Sequence, residues 1–202
     1  MGQGKAEFHA ALRLEPALEM AHYGLGQVFM NTKRFREAVG AYIACRDAFD
    51  ANTARRANND LEAQRALDDQ IRSLEDERTL QASGRVTAMT SGGPLDLDRR
   101  ISDLKARRFR DAKSVPTTPA WISLALGSAY FRSGALPDAE REYLAAIKAD
   151  PKIGEAHNNL AVVYMLTQRY AEANSAITAA EKSGFRVNPQ LKEDLKKASA
   201  RN

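Results

Sequence analysis

Two stretches of this 202-residue sequence repeat each other, and the repetition limits what the chain can fold into. The stretch 120–151 aligns with the stretch 154–185 when Tyr130 is placed on Tyr164, an offset of 34 residues. Large apolar residues recur at equivalent positions, as do small residues where two helices would approach closely: Leu126 and Leu160, Leu136 and Tyr170, Ala139 and Ala173, Tyr143 and Ile177, Ala146 and Ala180. This period predicts a repeating helix–turn–helix unit of about 34 residues.

The first of these copies resembles the tetratricopeptide repeat family. The motif positions of that family are occupied here by Leu126, Gly127, Tyr130, Gly134, Ala139, Tyr143, Ala146 and Pro151. The second copy departs from the motif, because Ala161 replaces the glycine, Gln168 occupies the turn and Phe185 replaces the closing proline. The resemblance implies an all-α fold, a right-handed solenoid of antiparallel helix pairs.

The motif also occurs upstream, over residues 17–50. It is carried there by Leu25, Gly26, Phe29, Phe35, Ala38, Tyr42 and Cys45. Cys45 occupies a small-residue position, so we predict a buried packing thiol rather than a nucleophile. Residues 1–16 match the second helix of a truncated repeat, and we expect that the chain begins inside a longer array or was cut from one.

Residues 51–118 interrupt the period. A narrow apolar stripe at Leu61, Leu67, Ile71 and Leu74 predicts one long helix over about 52–83, and a second helix is predicted from about Leu95 to Lys113. The segment 83–94 between them has turn composition. We therefore predict an elongated helical hairpin, and the weak stop signal at 50–52 leaves open whether the helix before it continues into the first arm.

The rest of the chain is predicted to complete the solenoid. Residues 119–152 and 153–185 form one repeat each, and residues 186–202 form a polar C-terminal capping helix. Asn188 can cap this helix, and Leu191 and Leu195 give it a single apolar edge.

No pattern in the sequence provides a framework for catalysis, for a metal or for a cofactor. His22 and His157 occupy the same repeat position, and neither lies in metal-ligand spacing. The close glycines at 2–4 and 24–26 do not complete a phosphate-binding fingerprint, and no nucleophile motif is present. We therefore predict that the chain is not an enzyme and holds no metal and no cofactor.

Composition bounds the partners and the location. A net charge of +4 over 202 residues does not by itself indicate nucleic acid, which is an unlikely partner on this ground. No apolar run approaches the roughly 20 residues that span a bilayer. The expectation is a soluble protein, in the cytoplasm by default, with the periplasm or secretion open if an upstream signal was removed.

The resemblance implies a binding site on the concave face, where the first helices of successive repeats bind peptide segments of other proteins. The predicted peptide-binding positions are Met20, Tyr23, Gln27, Met30, Asn31, Leu124, Ser128, Phe131, Arg132, Glu155, Asn158, Val162 and Met165. One subgroup of the family grips the C-terminal carboxylates of chaperones with a Lys/Asn/Arg clamp. Tyr23, Leu124 and Asn158 occupy the corresponding lysine position here, which disfavours such tails.

A basic cluster is a second candidate surface. Lys105, Arg107, Arg108, Arg110 and Lys113 make up most of it, and Arg99 and Arg100 lie nearby. It could meet an anionic partner. The facing arm carries Asp68, Asp69, Glu75, Asp76 and Glu77, so internal charge pairing across the hairpin is the favoured interpretation.

The predicted function is therefore non-catalytic protein binding, as a scaffold or adaptor that binds a peptide segment on the concave face. The alternative is a substrate-recruiting repeat arm of a larger enzyme whose catalytic domain is absent from this chain. A third hypothesis is self-association through the hairpin at 51–118.

Overall fold

The computed structural model describes residues 2–83, 94–110 and 117–199, with side chains at 6–83, 95–107 and 117–199. Helices and turns make up these described stretches, with no strand among them, so the predicted all-α fold is confirmed. In chain order the helices are α1 (Gly2–Leu14), α2 (Glu19–Asn31), α3 (Phe35–Ala82), α4 (Pro94–Arg110), α5 (Ala120–Ser133), α6 (Leu136–Ala149), α7 (Gly154–Leu166), α8 (Tyr170–Lys182) and α9 (Pro189–Ser199).

The chain divides into two compact units. The first, here called the repeat unit, comprises 1–52 and 117–202, and the second, here called the hairpin unit, comprises 53–116. The repeat unit is a helical repeat solenoid in which α5 packs on α6 and α7 packs on α8.

Helices pair in the repeat unit where a glycine faces a tyrosine ring. A Cβ atom added to Gly127 would lie 2.8 Å from the ring of Tyr143, and one added to Gly26 would lie 2.3 Å from the ring of Tyr42. Both rings are almost completely buried. The glycines therefore let a large ring lie directly on the backbone of the neighbouring helix, in an interior with no room for another methyl group.

The turns inside the repeats share one backbone conformation. Lys33, Gly134 and Gln168 occupy the same repeat position, and their φ angles are +59°, +87° and +62°. The backbone N–H of Gly134 donates to the carbonyl oxygen of Phe131, which ends α5 in the manner of a left-handed C-cap. Only glycine adopts this conformation without steric cost, so the Lys33 and Gln168 turns carry strain that the Gly134 turn does not.

Helix α3 continues without a break through the segment that the sequence left open. It contains 48 residues, which corresponds to a length of about 72 Å. Asn52 does not end the helix, because its side chain is used elsewhere: Nδ2 donates to the carbonyl oxygen of Ala17 and to Oε2 of Glu19, each at 2.9 Å. These bonds tie α3 to the loop that precedes α2 and to its first residue.

The hairpin unit has a small aliphatic core between the second part of α3 and α4. Ile71, Leu74, Leu97 and Ile101 are buried, with Leu67 and Leu104 packed beside them. Leu61, which the predicted stripe included, is 45% exposed. Its spacing of six residues from Leu67 places it about 240° around the helix, away from the core. Of the predicted turn segment at 83–94, residues 84–93 lie outside the described residues, and α4 already begins at Pro94.

Helix α9 follows the last repeat and has one buried edge. Leu195 is buried and Leu191 is half-buried against the core of the last repeats. The side chain of Asn188 accepts a hydrogen bond from the backbone N–H of Gln190 at 2.9 Å. Lys192 pairs with Glu181 of α8 on the exposed side.

Candidate binding groove

A cavity of about 400 Å³ opens between the first helices of the repeats. We call it the groove. Its lining residues come from α2, α3, α5 and α7 and are Tyr23, Gln27, Met30, Asn31, Phe35, Tyr42, Trp121, Leu124, Ala125, Ser128, Arg132 and Glu155. All of them belong to the repeat unit, so the groove is built within one compact part of the chain.

A second cavity of about 250 Å³ adjoins the groove and is here called the side pocket. Phe131, Tyr143, Asn159 and Val162 line it, together with three residues that also line the groove: Met30, Ser128 and Arg132. The two cavities therefore meet at these three side chains.

Aromatic rings form one wall of the groove. The rings of Tyr23 and Trp121 pack edge to face, with centroids 4.9 Å apart, and Tyr23 also lies 5.5 Å from Tyr42. Trp121 is 36% exposed, so part of its face remains open to a ligand. The sequence contains no other tryptophan, and its fluorescence therefore reports on this wall alone.

Several polar groups in the groove are already hydrogen-bonded within the protein. Gln27 Nε2 donates to Tyr23 Oη at 2.9 Å, and Ser128 Oγ donates to the carbonyl oxygen of Leu124 at 2.9 Å. Burial raises the pKa of Tyr42 in the groove and of Tyr143 in the side pocket, so both phenols stay protonated near neutral pH. These groups fix the shape of the groove and offer no charge.

Arg132 is the cation of the groove. It lies in the last turn of α5, and its guanidinium stacks on the ring of Phe35 with 4.8 Å between the guanidinium carbon and the ring centroid. The side chain is exposed. Glu155, at the start of α7, lines the same groove as the anion.

The structure brings most of the predicted peptide-binding residues together. The groove contains Tyr23, Gln27, Met30, Asn31, Leu124, Ser128, Arg132 and Glu155, and the side pocket adds Phe131 and Val162. Met20, Asn158 and Met165 line neither cavity. Met20 is 56% exposed, and Met165 packs against the core of the last repeats.

Sequence reasoning missed three aromatic residues that line the groove, Phe35, Tyr42 and Trp121. Trp121 could have been found from spacing, because positions 121, 125, 128 and 132 follow one face of α5. Tyr42 was identified only as a motif residue; it is buried, and it also lines the groove.

The basic cluster belongs to the hairpin unit and is partly used there. Lys105 Nζ donates to Glu75 Oε1 at 2.7 Å, and Arg78 pairs with Asp98 at 3.0 Å across the same two helices. The side chains of Arg108 and Arg110, and all of Lys113, lie outside the described residues.

The histidines and the cysteine have structural surroundings. His22 Nε2 donates to the carbonyl oxygen of Pro16 at 2.9 Å, and His157 Nε2 donates to that of Pro151 at 3.1 Å. Cys45 is fully buried, which raises the pKa of its thiol to about 11. Within the described stretches, no group of histidine, cysteine, aspartate and glutamate side chains could hold a metal ion.

The tetratricopeptide repeat family model matches residues 124–184, and this confirms the resemblance over that stretch. Such repeats generally mediate protein–protein interactions and are typically non-catalytic modules. No curated protein matches the chain. None of the helices in the described ranges is long and apolar enough to cross a membrane.

Proposed function

Because residues 124–184 match the tetratricopeptide repeat family model, we propose that the groove and the side pocket bind a peptide segment of another protein, as a scaffold or adaptor would. The observation that carries the proposal is the partly exposed aromatic and methionine lining of a cavity that spans the first helices of successive repeats. Partly apolar concavities with a few polar groups are typical of binding sites.

The size and chemistry of the two cavities suit an extended or helical peptide. Trp121 and Tyr23 offer rigid aromatic surface, and aromatic residues and methionine are enriched where proteins contact each other. Phe131 is half-buried and lines the side pocket, where it can act as an anchor for an apolar side chain. A few such anchors provide most of the affinity in interfaces of this kind.

The basic cluster is the competing surface for a partner. At least one of its members, Lys105, already has a carboxylate partner in Glu75. Binding through that cluster would weaken steeply with salt, whereas binding through apolar anchors in the groove would not.

A pull-down from the source organism followed by direct titration tests the proposal. The baits are the wild type, Phe131→Ala, a triple variant with Arg107, Arg108 and Arg110 changed to Glu, and Leu144→Ala as a control. Leu144 is 45% exposed and lines neither cavity. Peptides that tile a captured protein are then titrated into the purified chain, with Trp121 fluorescence as the readout.

We expect Phe131→Ala to weaken binding by at least about 1 kcal/mol, and the triple variant and Leu144→Ala to bind like the wild type. Thermal melting of each variant controls for misfolding. A captured protein that is lost only with the triple variant, and whose peptides leave Trp121 fluorescence unchanged, would rule out the groove.

A further inference from the structure

In the described part of the repeat unit, three arginines stack on aromatic rings, and they provide an internal comparison. Arg34 stacks on Phe29 at 4.9 Å and pairs with Glu37 at 2.8 Å. Arg169 stacks on Tyr164 at 4.2 Å and pairs with two carboxylates, those of Glu140 and Glu172, each at 2.7 Å. In both cases the ring supports the face of the guanidinium while a carboxylate accepts from its edge.

Arg132 has the stacked ring without the carboxylate. Its guanidinium lies 4.8 Å from the centroid of Phe35, and no acceptor for its N–H groups is present in the part of the chain that the structure describes. Glu155 lines the same groove but forms no ion pair with Arg132. A guanidinium has five donors in a rigid planar fork that matches a carboxylate, so the edge of Arg132 is prepared for an anion.

The position of Arg132 indicates which kind of anion would bind there. Of the three arginines, only Arg132 lines the cavities, and it lines both the groove and the side pocket. An acidic group held at its edge would therefore have apolar surface on either side, with Trp121 in the groove and Phe131 in the side pocket. A residue inside a peptide has neighbours in both directions, whereas a C-terminal carboxylate has a neighbour in one direction only.

We propose that Arg132 receives the carboxylate of an internal aspartate or glutamate of the bound peptide, with large apolar side chains next to it in the groove and the side pocket. The proposal rests on the proposed function and specifies the chemistry of its partner. The partner segment is acidic at one position, apolar around it, and need not end there.

The first experiment selects random peptides, displayed on phage between flanking linkers so that no free C-terminus is offered, on the full chain. We expect the enriched sequences to carry Asp or Glu beside large apolar residues. Enrichment of apolar sequences without an acidic residue would overturn the inference, and failure to enrich anything would count against both the inference and the proposed function.

The second experiment uses acetylated and amidated synthetic peptides of the enriched sequence, with Trp121 fluorescence as the readout. Replacing the acidic residue with its amide should weaken binding about tenfold, and so should Arg132→Gln, because a hydrogen bond to a charged group is lost. Combining the two changes should cost little more than either alone, since both remove one interaction. Arg132→Lys keeps the charge and loses the fork, so it should bind less tightly than the wild type.

Arg34→Gln is the matched control, because Arg34 is also stacked on a ring but lines neither cavity. It should leave affinity unchanged. If Phe131→Ala abolishes binding while Arg132→Gln and the amide peptide have no effect, the inference is wrong and the proposed function stands. A requirement for a free C-terminal carboxylate would also overturn the inference.

Discussion

The contacts that stabilise the interior of the repeat unit differ in kind from those that stabilise the interior of the hairpin unit. In the repeat unit, buried tyrosine rings lie on glycine backbones, as Tyr143 does on Gly127. In the hairpin unit, a few aliphatic side chains such as Leu97 make the core, and exposed ion pairs border it. Contact in the repeat unit therefore depends on the exact size of each side chain, and contact in the hairpin unit depends mainly on apolarity.

Ion pairs show the same difference. Glu142 is 4% exposed and accepts from Arg46 of α3 at 3.2 Å, within the repeat unit. Glu75 and Lys105 of the hairpin unit form a pair whose side chains are both more than a third exposed. A buried carboxylate needs its partner to avoid a large desolvation cost, whereas an exposed pair contributes little. The repeat unit is the part of the molecule where substitution should cost most.

Two buried leucines test this comparison directly. Leu126 of the repeat unit is 0% exposed and Leu97 of the hairpin unit is 1% exposed. Leu126→Ala should cost about 2–5 kcal/mol of the free energy of unfolding, since its surroundings cannot collapse into the cavity. Leu97→Ala should cost less, because the side chains around it in a two-helix core can shift to fill the space.

Denaturant unfolding followed by Trp121 fluorescence measures the repeat unit, and hydrogen exchange at the amides of Ile71 and Ile101 measures the hairpin unit. Leu97→Ala should speed exchange in the hairpin and leave the Trp121 transition in place. The exposed Leu144→Ala should change neither by more than about 0.5 kcal/mol. A Trp121 transition lowered equally by Leu97→Ala and Leu126→Ala would contradict the comparison.

The repeats could be predicted from sequence because their contacts recur at fixed positions. Once Tyr130 is aligned with Tyr164, the spacing of glycine, alanine and tyrosine indicates how the helices pair, and the family resemblance then implies which first-helix positions face the groove. The continuous α3 could not be predicted, because Asn52 is a weak stop signal whose real partners lie 35 and 33 residues away in sequence.

The place of Phe35 in the groove and the free edge of Arg132 were beyond prediction for a similar reason. The repeat motif fixes which helices touch, but it does not say which side chains at its variable positions reach across a cavity. Phe35 is the first residue of α3 and was identified only as a motif residue, yet its ring supports Arg132 from another repeat. Contacts between variable positions of different repeats depend on side-chain rotamers, and the repeat period does not determine these.

A turn position tests the repeat unit more finely. Gln168 adopts a φ of +62°, where Gly134 stands in the preceding repeat with +87°. Gln168→Gly should raise the free energy of unfolding of the repeat unit by about 0.5–1 kcal/mol, since glycine relieves the left-handed strain but loses more chain entropy on folding. Gly134→Ala is the matched opposite change and should lower stability. If the wild type, Gln168→Gly and Gly134→Ala were equally stable in denaturant, these turns would carry no strain.

The smallest expected effect concerns the exposed edge of the hairpin unit. The hydrogen bond and the charge of Lys105 hold the pKa of Glu75 below its ordinary value. A carboxylate whose pKa is lowered on folding stabilises the folded state above its unfolded pKa, and this contribution disappears as the pH falls through the lowered value.

Lys105→Gln should therefore weaken protection from hydrogen exchange in the hairpin at neutral pH. The difference from the wild type should fade in acid and in high salt. Arg72→Gln is the control, because Arg72 is an exposed charge of α3 that forms no ion pair with any described residue. If both variants lose the same protection at every pH, general charge rather than the Glu75–Lys105 pair stabilises the hairpin.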